Sequence, residues 1–383
     1  MDFCSHCLLP STKPDLFIGR DGKCAACLAF DQRNVIDWDQ RKKEFLETVS
    51  QFKHNEIWDC IIPVSGGKDS TAQVIKVLEL GLNPLCINSR TCDLSNIGRD
   101  NLENIRRLGV DLIEYAPNQN VRWRLNRLGL EIVGDISWPE HVGIFTIPIH
   151  AAIQFRVPLI IWGENSQNEY GGPATAQNNR YLNRSWLEEF GGLLGLRITD
   201  LVKDYGFSQK ELALYTYPSD KTLSIHKVTG LFLGYFFPWN GHENTKKSLS
   251  NGFRTYPQLV EGSIVDYENL DNYQTGIHDY FKYLKFGFGR ATDIASILIR
   301  RNLLTRSDAA TIVAERDGRF PSTYLGKPLC EILDPLGLDE NQFRVICDQF
   351  TNPKIFAKDA DGNYNRRPDG SPSRLHNPST EIE

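Results

Sequence analysis

The chain has 383 residues, of which 40% are hydrophobic and 24% charged, and a formal net charge of −5. At about 100–200 residues per domain, this length fits two or three domains, and the apolar share excludes wholesale disorder. The acidic balance lacks the basic footprint typical of nucleic-acid binding, and no run approaches the ~18–20 apolar residues of a membrane span.

The richest apolar run, residues 230–239, is short and is broken by Gly234 and Pro238. The opening Met1-Asp2-Phe3-Cys4 has no basic stretch followed by an apolar one, so no signal peptide is expected and a cytoplasmic location is. In such a compartment the nine cysteines should be mostly reduced. Four of them form two C-x-x-C knuckles, Cys4/Cys7 and Cys24/Cys27, with Pro10, Pro14, Gly19 and Gly22 between them. Four thiolates at this spacing can converge on a tetrahedral zinc in a turn-rich ribbon over residues 1–33. A redox dithiol needs only one such pair, which argues against that alternative. An iron–sulfur cluster is the other competitor. With four protein ligands the zinc would keep no open position, so its role would be structural. His6, inside the first knuckle, is read as a bystander. Cys60, Cys86 and Cys347 are expected as buried, inert thiols, Cys330 is uninformative, and Cys92 falls in a polar loop.

Trp38, Phe45, Leu46, Val49 and Phe52 among charges predict an amphipathic helix over 35–53. Residues 58–64 read as a buried strand running into a Gly turn, and residues 70–80 as a helix stopped by Gly81. Strands follow at 84–88, 111–115 and 158–162, with a helix at 98–108 and a mixed stretch at 140–156. Strands separated by helices predict an α/β fold with a Rossmann-like parallel sheet, whose ligand lies beyond the carboxyl ends of the strands. Ser65-Gly66-Gly67 and Gly163-Glu164-Asn165 both fall at such ends.

From about residue 180 this rhythm fades into an aromatic-rich region. Two helices are expected within 292–318, and Asp339 with Gln342 resembles a capping box. The expected organisation is a zinc ribbon (1–33), a nucleotide-binding domain (34–200), a mainly helical substrate region (201–356) and a loose polar tail (357–383).

The segment Ser65-Gly66-Gly67-Lys68-Asp69-Ser70-Thr71 carries the chemistry. Two glycines permit a tight turn that brings backbone N–H groups to an anion, and the next helix points its N-terminal donors at the same place. Ser65, Ser70 and Thr71 add hydroxyls and Lys68 a charge. A Walker A loop needs Gly where Ile62 stands and a hydroxyl where Asp69 stands, so an ordinary P-loop ATPase is disfavoured.

The pattern resembles the PP-loop, S-G-G-x-D-S, of the ATP pyrophosphatase superfamily. That resemblance implies chemistry at the α-phosphate of ATP. The loop binds the leaving pyrophosphate, a substrate oxygen is adenylated, and a nucleophile displaces AMP. Lys68 and Asp69 would then be catalytic, Asp69 through Mg²⁺ or by ordering the loop. Glu164 is a further candidate for holding Mg²⁺ or handling the nucleophile, against the alternative of a loop-capping carboxylate. No cysteine is placed as a self-contained glutaminase nucleophile, so any ammonia would come from outside the chain.

Farther along, the chain resembles the N-acetyl sugar amidotransferases of bacterial surface-polysaccharide gene clusters. The resemblance rests on the knuckles, on Ser65 to Ser70, on Gly98-Arg99-Asp100-Asn101-Leu102-Glu103, on Trp162-Gly163-Glu164-Asn165 and on Glu169-Tyr170-Gly171-Gly172. It is carried most strongly by the block from His278 through Lys282, Lys285, Gly287-Phe288-Gly289 and Arg290 to Asp293, followed by Thr305-Arg306. Residues 86–97 depart from the family's pattern.

The resemblance implies an ATP-, Mg²⁺- and Zn²⁺-dependent enzyme that converts the acetamido group of a nucleotide-linked N-acetyl sugar to an acetamidino group, for lipopolysaccharide or a related glycan. It also implies ammonia from a separate glutaminase with a cyclase-like partner. Lys285 and Arg290 are expected to meet sugar-nucleotide oxygens, with His278 at the substrate. His242 and His278 are candidate acid–base groups. A tRNA-thiolating enzyme is the alternative, with Cys92 its test residue, and a partner-binding scaffold without activity is a third.

Overall fold

The computed structural model describes residues 1–52, 57–173, 179–182, 184 and 193–378. Four strands pair in parallel: β1 (Cys60–Pro63), β2 (Pro84–Ser89), β3 (Asp111–Tyr115) and β4 (Leu159–Trp162). Cys60, Ile61, Ile62, Leu85, Cys86, Ile87, Leu159, Ile160 and Ile161 are all buried. Helices cover both faces of these strands, which is why they read as continuous apolar runs rather than alternating ones.

The connecting helices are α1 (Ala25–Gln32), α2 (Trp38–Ser50), α3 (Lys68–Glu79), α4 (Asn96–Arg107), α5 (Gln119–Val133) and α6 (Trp138–Phe155). Asp37 caps α2 by accepting from Gln40 N–H at 2.9 Å, and Ser95 caps α4 by accepting from Gly98 N–H at 2.8 Å. α6 replaces the mixed stretch expected over 140–156. It is apolar nearly all round because it is buried against the sheet and its neighbours, so no amphipathic stripe marks it, and Pro148 sits inside it.

Two further strands complete the sheet in the order β3-β2-β1-β4-β6-β5. β5 (Tyr181–Leu182) is an antiparallel edge on β6 (Thr229–Phe232), which runs parallel to β4. A boundary at residue 200 would cut this sheet, because β6 returns to it from the aromatic-rich region. The strand order reverses direction between β1 and β4, and in such sheets that switch point is where ligands bind.

Beyond the sheet, the helix Gly241–Leu249 packs on α3, and helices Thr275–Phe286, Arg290–Arg300, Arg306–Arg316 and Glu340–Phe350 follow. The pair expected within 292–318 is therefore present, and Asp339 and Gln342 form the reciprocal capping box at 2.8 and 3.0 Å. A separate core gathers Phe281, Leu284, Leu333, Phe343 and Cys347 here.

Residues 357–378, expected as a loose tail, instead lie against the body. Phe356 bridges Arg374, Arg374 Nη1 donates to Gly287 O at 2.9 Å, and Tyr364 Oη donates to Thr351 O at 2.6 Å. Residues 379–383 lie outside the described residues. Among the described residues no helix is long and apolar enough to cross a membrane.

Candidate active site

The N-terminal segment folds around its cysteines. Cys4, Cys7, Cys24 and Cys27 are buried, with Sγ separations of 3.8 Å for Cys4–Cys27, 3.5 Å for Cys7–Cys24 and 3.7 Å for Cys24–Cys27. Tetrahedral zinc with Zn–S bonds of about 2.3 Å requires sulfur edges near 3.8 Å. The N–H groups of His6 and Cys24 point at Cys4 Sγ at 3.4 and 3.3 Å, as donors do toward a thiolate. The four cysteines therefore fit a structural zinc, and His6 is not among them.

The ribbon is tied to the sheet by the short helix Ser166–Tyr170 that follows β4. A Cβ at Gly171 would lie 2.6 Å from Ala26 N, so glycine there lets α1 approach. Glu169 Oε2 accepts from Arg33 Nη2 at 2.7 Å, and its Oε1 accepts from Arg301 Nη2 at 2.8 Å. Burial alone would raise the Glu169 pKa, but the Arg33, Arg301 and Arg300 charges bring it down to about 2. The Glu169-Tyr170-Gly171-Gly172 motif thus joins ribbon, sheet and C-terminal helices.

At the switch point, Val64 O accepts from Asn88 Nδ2 at 2.7 Å, which fixes the end of β1 against β2. Gly66 turns with φ +86°, and a Cβ there would meet the Leu102 backbone nitrogen at 2.8 Å. Its role is the turn itself. Ser65 Oγ accepts from Gly67 N–H at 3.2 Å, and Gly67 starts α3, leaving the first N–H groups of that helix free for an anion.

Ser65, Gly67, Lys68, Asp69 and Ser70 line a cavity of ≈ 450 Å³ together with Glu164, Trp239, His242, Glu268 and Arg301. Thr71 is fully buried and lies outside that lining. A larger cavity of ≈ 660 Å³, between Thr48, Tyr217 and Leu223, holds none of the residues from Ser65 to Thr71.

Lys68 is buried, and its ammonium pairs with Asp69 and, at 2.8 Å, with Glu268. Burial opposes its charge, yet these two carboxylates hold its pKa well above the ordinary lysine value. Asp69 Oδ1 also accepts from Asn244 Nδ2 at 2.8 Å. Burial, followed by the Asp69 and Glu169 charges, pushes the Glu164 carboxyl up to about 8. Asp69, Glu164 and Glu268 thus outnumber the one lysine among them. Carboxylate oxygens are the donors a divalent cation takes, and its charge would relieve the repulsion. A Cβ at Gly163 would press on the Trp239 ring at 3.1 Å.

A second cavity of ≈ 470 Å³ continues from Ser65, Asp69, Ser70 and Glu164 to His141, His278 and Arg290. Arg290 is already bound to a carboxylate: Nη2 and Nε donate to Asp279 at 3.0 and 3.2 Å. It is an internal ion pair at the cavity wall rather than a free anion receptor. Lys285 donates to Val133 O at 3.3 Å and lines a third cavity, away from the PP-loop. Gly287 and Gly289 close one helix and open the next, and a Cβ on Gly289 would lie 2.9 Å from Asp317 Oδ1. That turn is set by packing, not by approach to a ligand. His278, like Arg290, lines this cleft, and its ring is held with Nδ1 2.8 Å from Asp135 Oδ1.

Residues 261–367 match the family model described as LPS biosynthesis protein WbpG-like, C-terminal domain. This part of the chain resembles that C-terminal domain. The match supports the resemblance to the surface-polysaccharide amidotransferases, and its span includes the block from His278 to Asp293. No curated protein matches the chain.

The WbpG-like region supplies Glu268 and Arg301 to the cavity at Ser65–Ser70, so the two halves build one site. Sequence reasoning missed Glu268, Trp239, Asp135 and His141. Each lies in an irregular segment or an all-apolar helix with no motif around it, and only the folded chain brings it to the loop. Cys92 is part-buried, burial pushes its thiol up to about 12, and among the described residues no cysteine lines either cavity at Ser65–Ser70.

Proposed function

We propose that the protein is an ATP-dependent amidotransferase of surface-glycan biosynthesis that converts the acetamido group of a nucleotide-linked N-acetyl sugar to an acetamidino group. The observation that carries this reading is a PP-loop at the sheet's switch point whose lysine is completed by Glu268 of the WbpG-like domain.

An amide carbonyl is a weak electrophile because its oxygen is a poor leaving group. Transfer of the adenylyl group from ATP to that oxygen expels pyrophosphate and leaves an O-adenylyl imidate. Ammonia then adds to the imidate carbon, and the C–O bond breaks with its electron pair on AMP. The N–H groups at the start of α3, with the Ser65 and Ser70 hydroxyls, are suited to the pyrophosphate oxygens. Lys68 would exchange its carboxylate partners for the departing negative charge. Asp69, Glu164 and Glu268 would hold Mg²⁺, which supplies further positive charge to the leaving group. Trp239 and Ile144, at the junction of the two cavities, would limit water that returns the imidate to acetamide.

Thiolation of tRNA is not favoured, because it needs a reactive cysteine at the nucleotide and none lines the cleft among the described residues. The test is AMP release from ATP with ammonium, run in parallel on a panel of nucleotide-linked acetamido sugars and on bulk tRNA with a sulfur donor. Sugar-dependent AMP that is lost in Lys68→Ala is the expected result. AMP formed only with tRNA would refute the reading.

A further inference from the structure

Outside the PP-loop, one titratable cluster in the cleft is not absorbed by the mechanism above. Asp135, in the turn between α5 and α6, is almost wholly buried and touches two imidazoles at once. Its Oδ1 accepts from Ser137 N–H at 2.9 Å and lies 2.8 Å from His278 Nδ1. Its Oδ2 lies 3.0 Å from His141 Nδ1, off the hydrogen-bond axis, so that contact is ionic rather than an aligned hydrogen bond. The two rings stand edge to face with centroids 5.0 Å apart. Both face Asp135 through Nδ1, which leaves each Nε2 without a hydrogen-bond partner among the described residues.

The position of this cluster gives it meaning. His141 and His278 line the cavity that reaches the PP-loop, and they also line a third cavity of ≈ 500 Å³. They therefore stand on the wall common to the two. The third cavity is bordered by Lys13 and Asp15 of the ribbon and by Lys282, Lys285, Phe286 and Phe288 of the WbpG-like domain. Lys282 and Arg290 there are paired with Asp293 and Asp279, and burial lowers the Lys13 and Lys285 pKa values, so the lining carries little unbalanced charge and suits a small neutral molecule.

We infer that this third cavity is the route by which ammonia reaches the adenylated amide, and that His278 Nε2, oriented by Asp135, accepts the proton that the added nitrogen must lose. The inference rests on the amidine-forming reading above. In the step, the N–C bond forms and the C–O bond to the adenylate breaks. The electron pair leaves with AMP, and one proton passes from the former ammonia nitrogen to His278 Nε2. The aligned Nδ1–H bond to Asp135 fixes the tautomer whose Nε2 carries the lone pair. Asp135 is a positioning residue, and His141 neutralises its second oxygen. Burial would lower the His141 pKa, but the Asp135 and Glu140 charges more than offset it and raise it. Besides these groups, Lys285, Lys282, Lys13, Asp15, Arg290 and Asp293 face the cluster and set its field.

The test uses the full-length, zinc-loaded protein with ammonium chloride and the acetamido-sugar panel, and reads AMP and amidine separately. His278→Gln is expected to lower amidine formation about 100-fold, the usual scale for losing a positioned base. AMP should continue to form by hydrolysis of the imidate, so the amidine-to-AMP ratio collapses, and the residual amidine rate should climb with pH as free ammonia increases. His141→Gln, whose fold is checked by its melting curve and zinc content, should show the same uncoupling to a smaller degree. Proportional loss of AMP and amidine at an unchanged ratio would overturn the assignment alone. So would a second bound metal, beyond the four-cysteine site, that disappears in His278→Gln. Absence of sugar-dependent AMP in the wild type would instead overturn the amidine reading, and the assignment with it.

Discussion

Glu169 provides a quantitative test of how the ribbon is held to the cavity at Ser65–Ser70. Glu169→Gln keeps the shape and removes the charge that Arg33 and Arg301 share at 2.7 and 2.8 Å, with side chains only 8%, 17% and 6% exposed. The carboxyl falls from its ordinary 4.5 to about 2, and at about 1.4 kcal/mol per unit that is a contribution of about 3 kcal/mol. Breaking a buried ion pair by removing one partner falls in the same range, about 3–5 kcal/mol. Because the folded-state pKa is depressed, this contribution is fully present above the unfolded value near 4.5 and is lost as pH falls toward 2. Urea unfolding of zinc-loaded protein should therefore show Glu169→Gln destabilised by about 3 kcal/mol, equally at pH 7 and pH 5.5. A difference below about 1 kcal/mol at both values, the level of an exposed pair, would refute this account of the junction.

Further outcomes follow from the same geometry. Gly66→Ala forces a side chain into a φ of +86° against the Leu102 backbone. It should destabilise the fold by at least about 1–2 kcal/mol and weaken ATP binding, as isothermal titration would show. Cys24→Ser should abolish binding of one zinc per chain, read by metal analysis, and lower the melting temperature, while a chelator should reproduce the shift in the wild type. Cys92→Ser should leave sugar-dependent turnover within about twofold, since the swap is nearly isosteric and the thiol lines neither cavity at the loop. A turnover loss of tenfold or more would revive the thiolation chemistry.

Much of this site was legible from the chain alone because its signals are local. The knuckle spacing marks the zinc ribbon, and Ser65 to Ser70 between an apolar run and a helix marks the loop and its place at a strand end. Asp339 with Gln342 marks a helix start that forms as written. What was not legible depends on tertiary placement. β6 hides in an aromatic-rich run because it spans only residues 229–232 and passes straight into the short helix Leu233–Phe236. α6 hides because burial on all sides erases its period. Arg290 and Lys285 look like anion receptors from their charge. Asp279, 11 residues before Arg290, and the Val133 carbonyl are what claim them in the folded protein. Glu268 and Asp135 carry no motif, and their importance exists only once the WbpG-like domain closes over the strand ends.

The central claim is that the amide oxygen itself attacks the α-phosphorus of ATP. It is tested most directly with an acetamido sugar carrying isotopically heavy oxygen in its amide carbonyl, incubated with ATP, ammonium and the protein, with AMP examined by mass spectrometry. The account predicts that AMP carries the heavy oxygen in its phosphoryl group in step with amidine formation. Amidine formed alongside unlabelled AMP would contradict it.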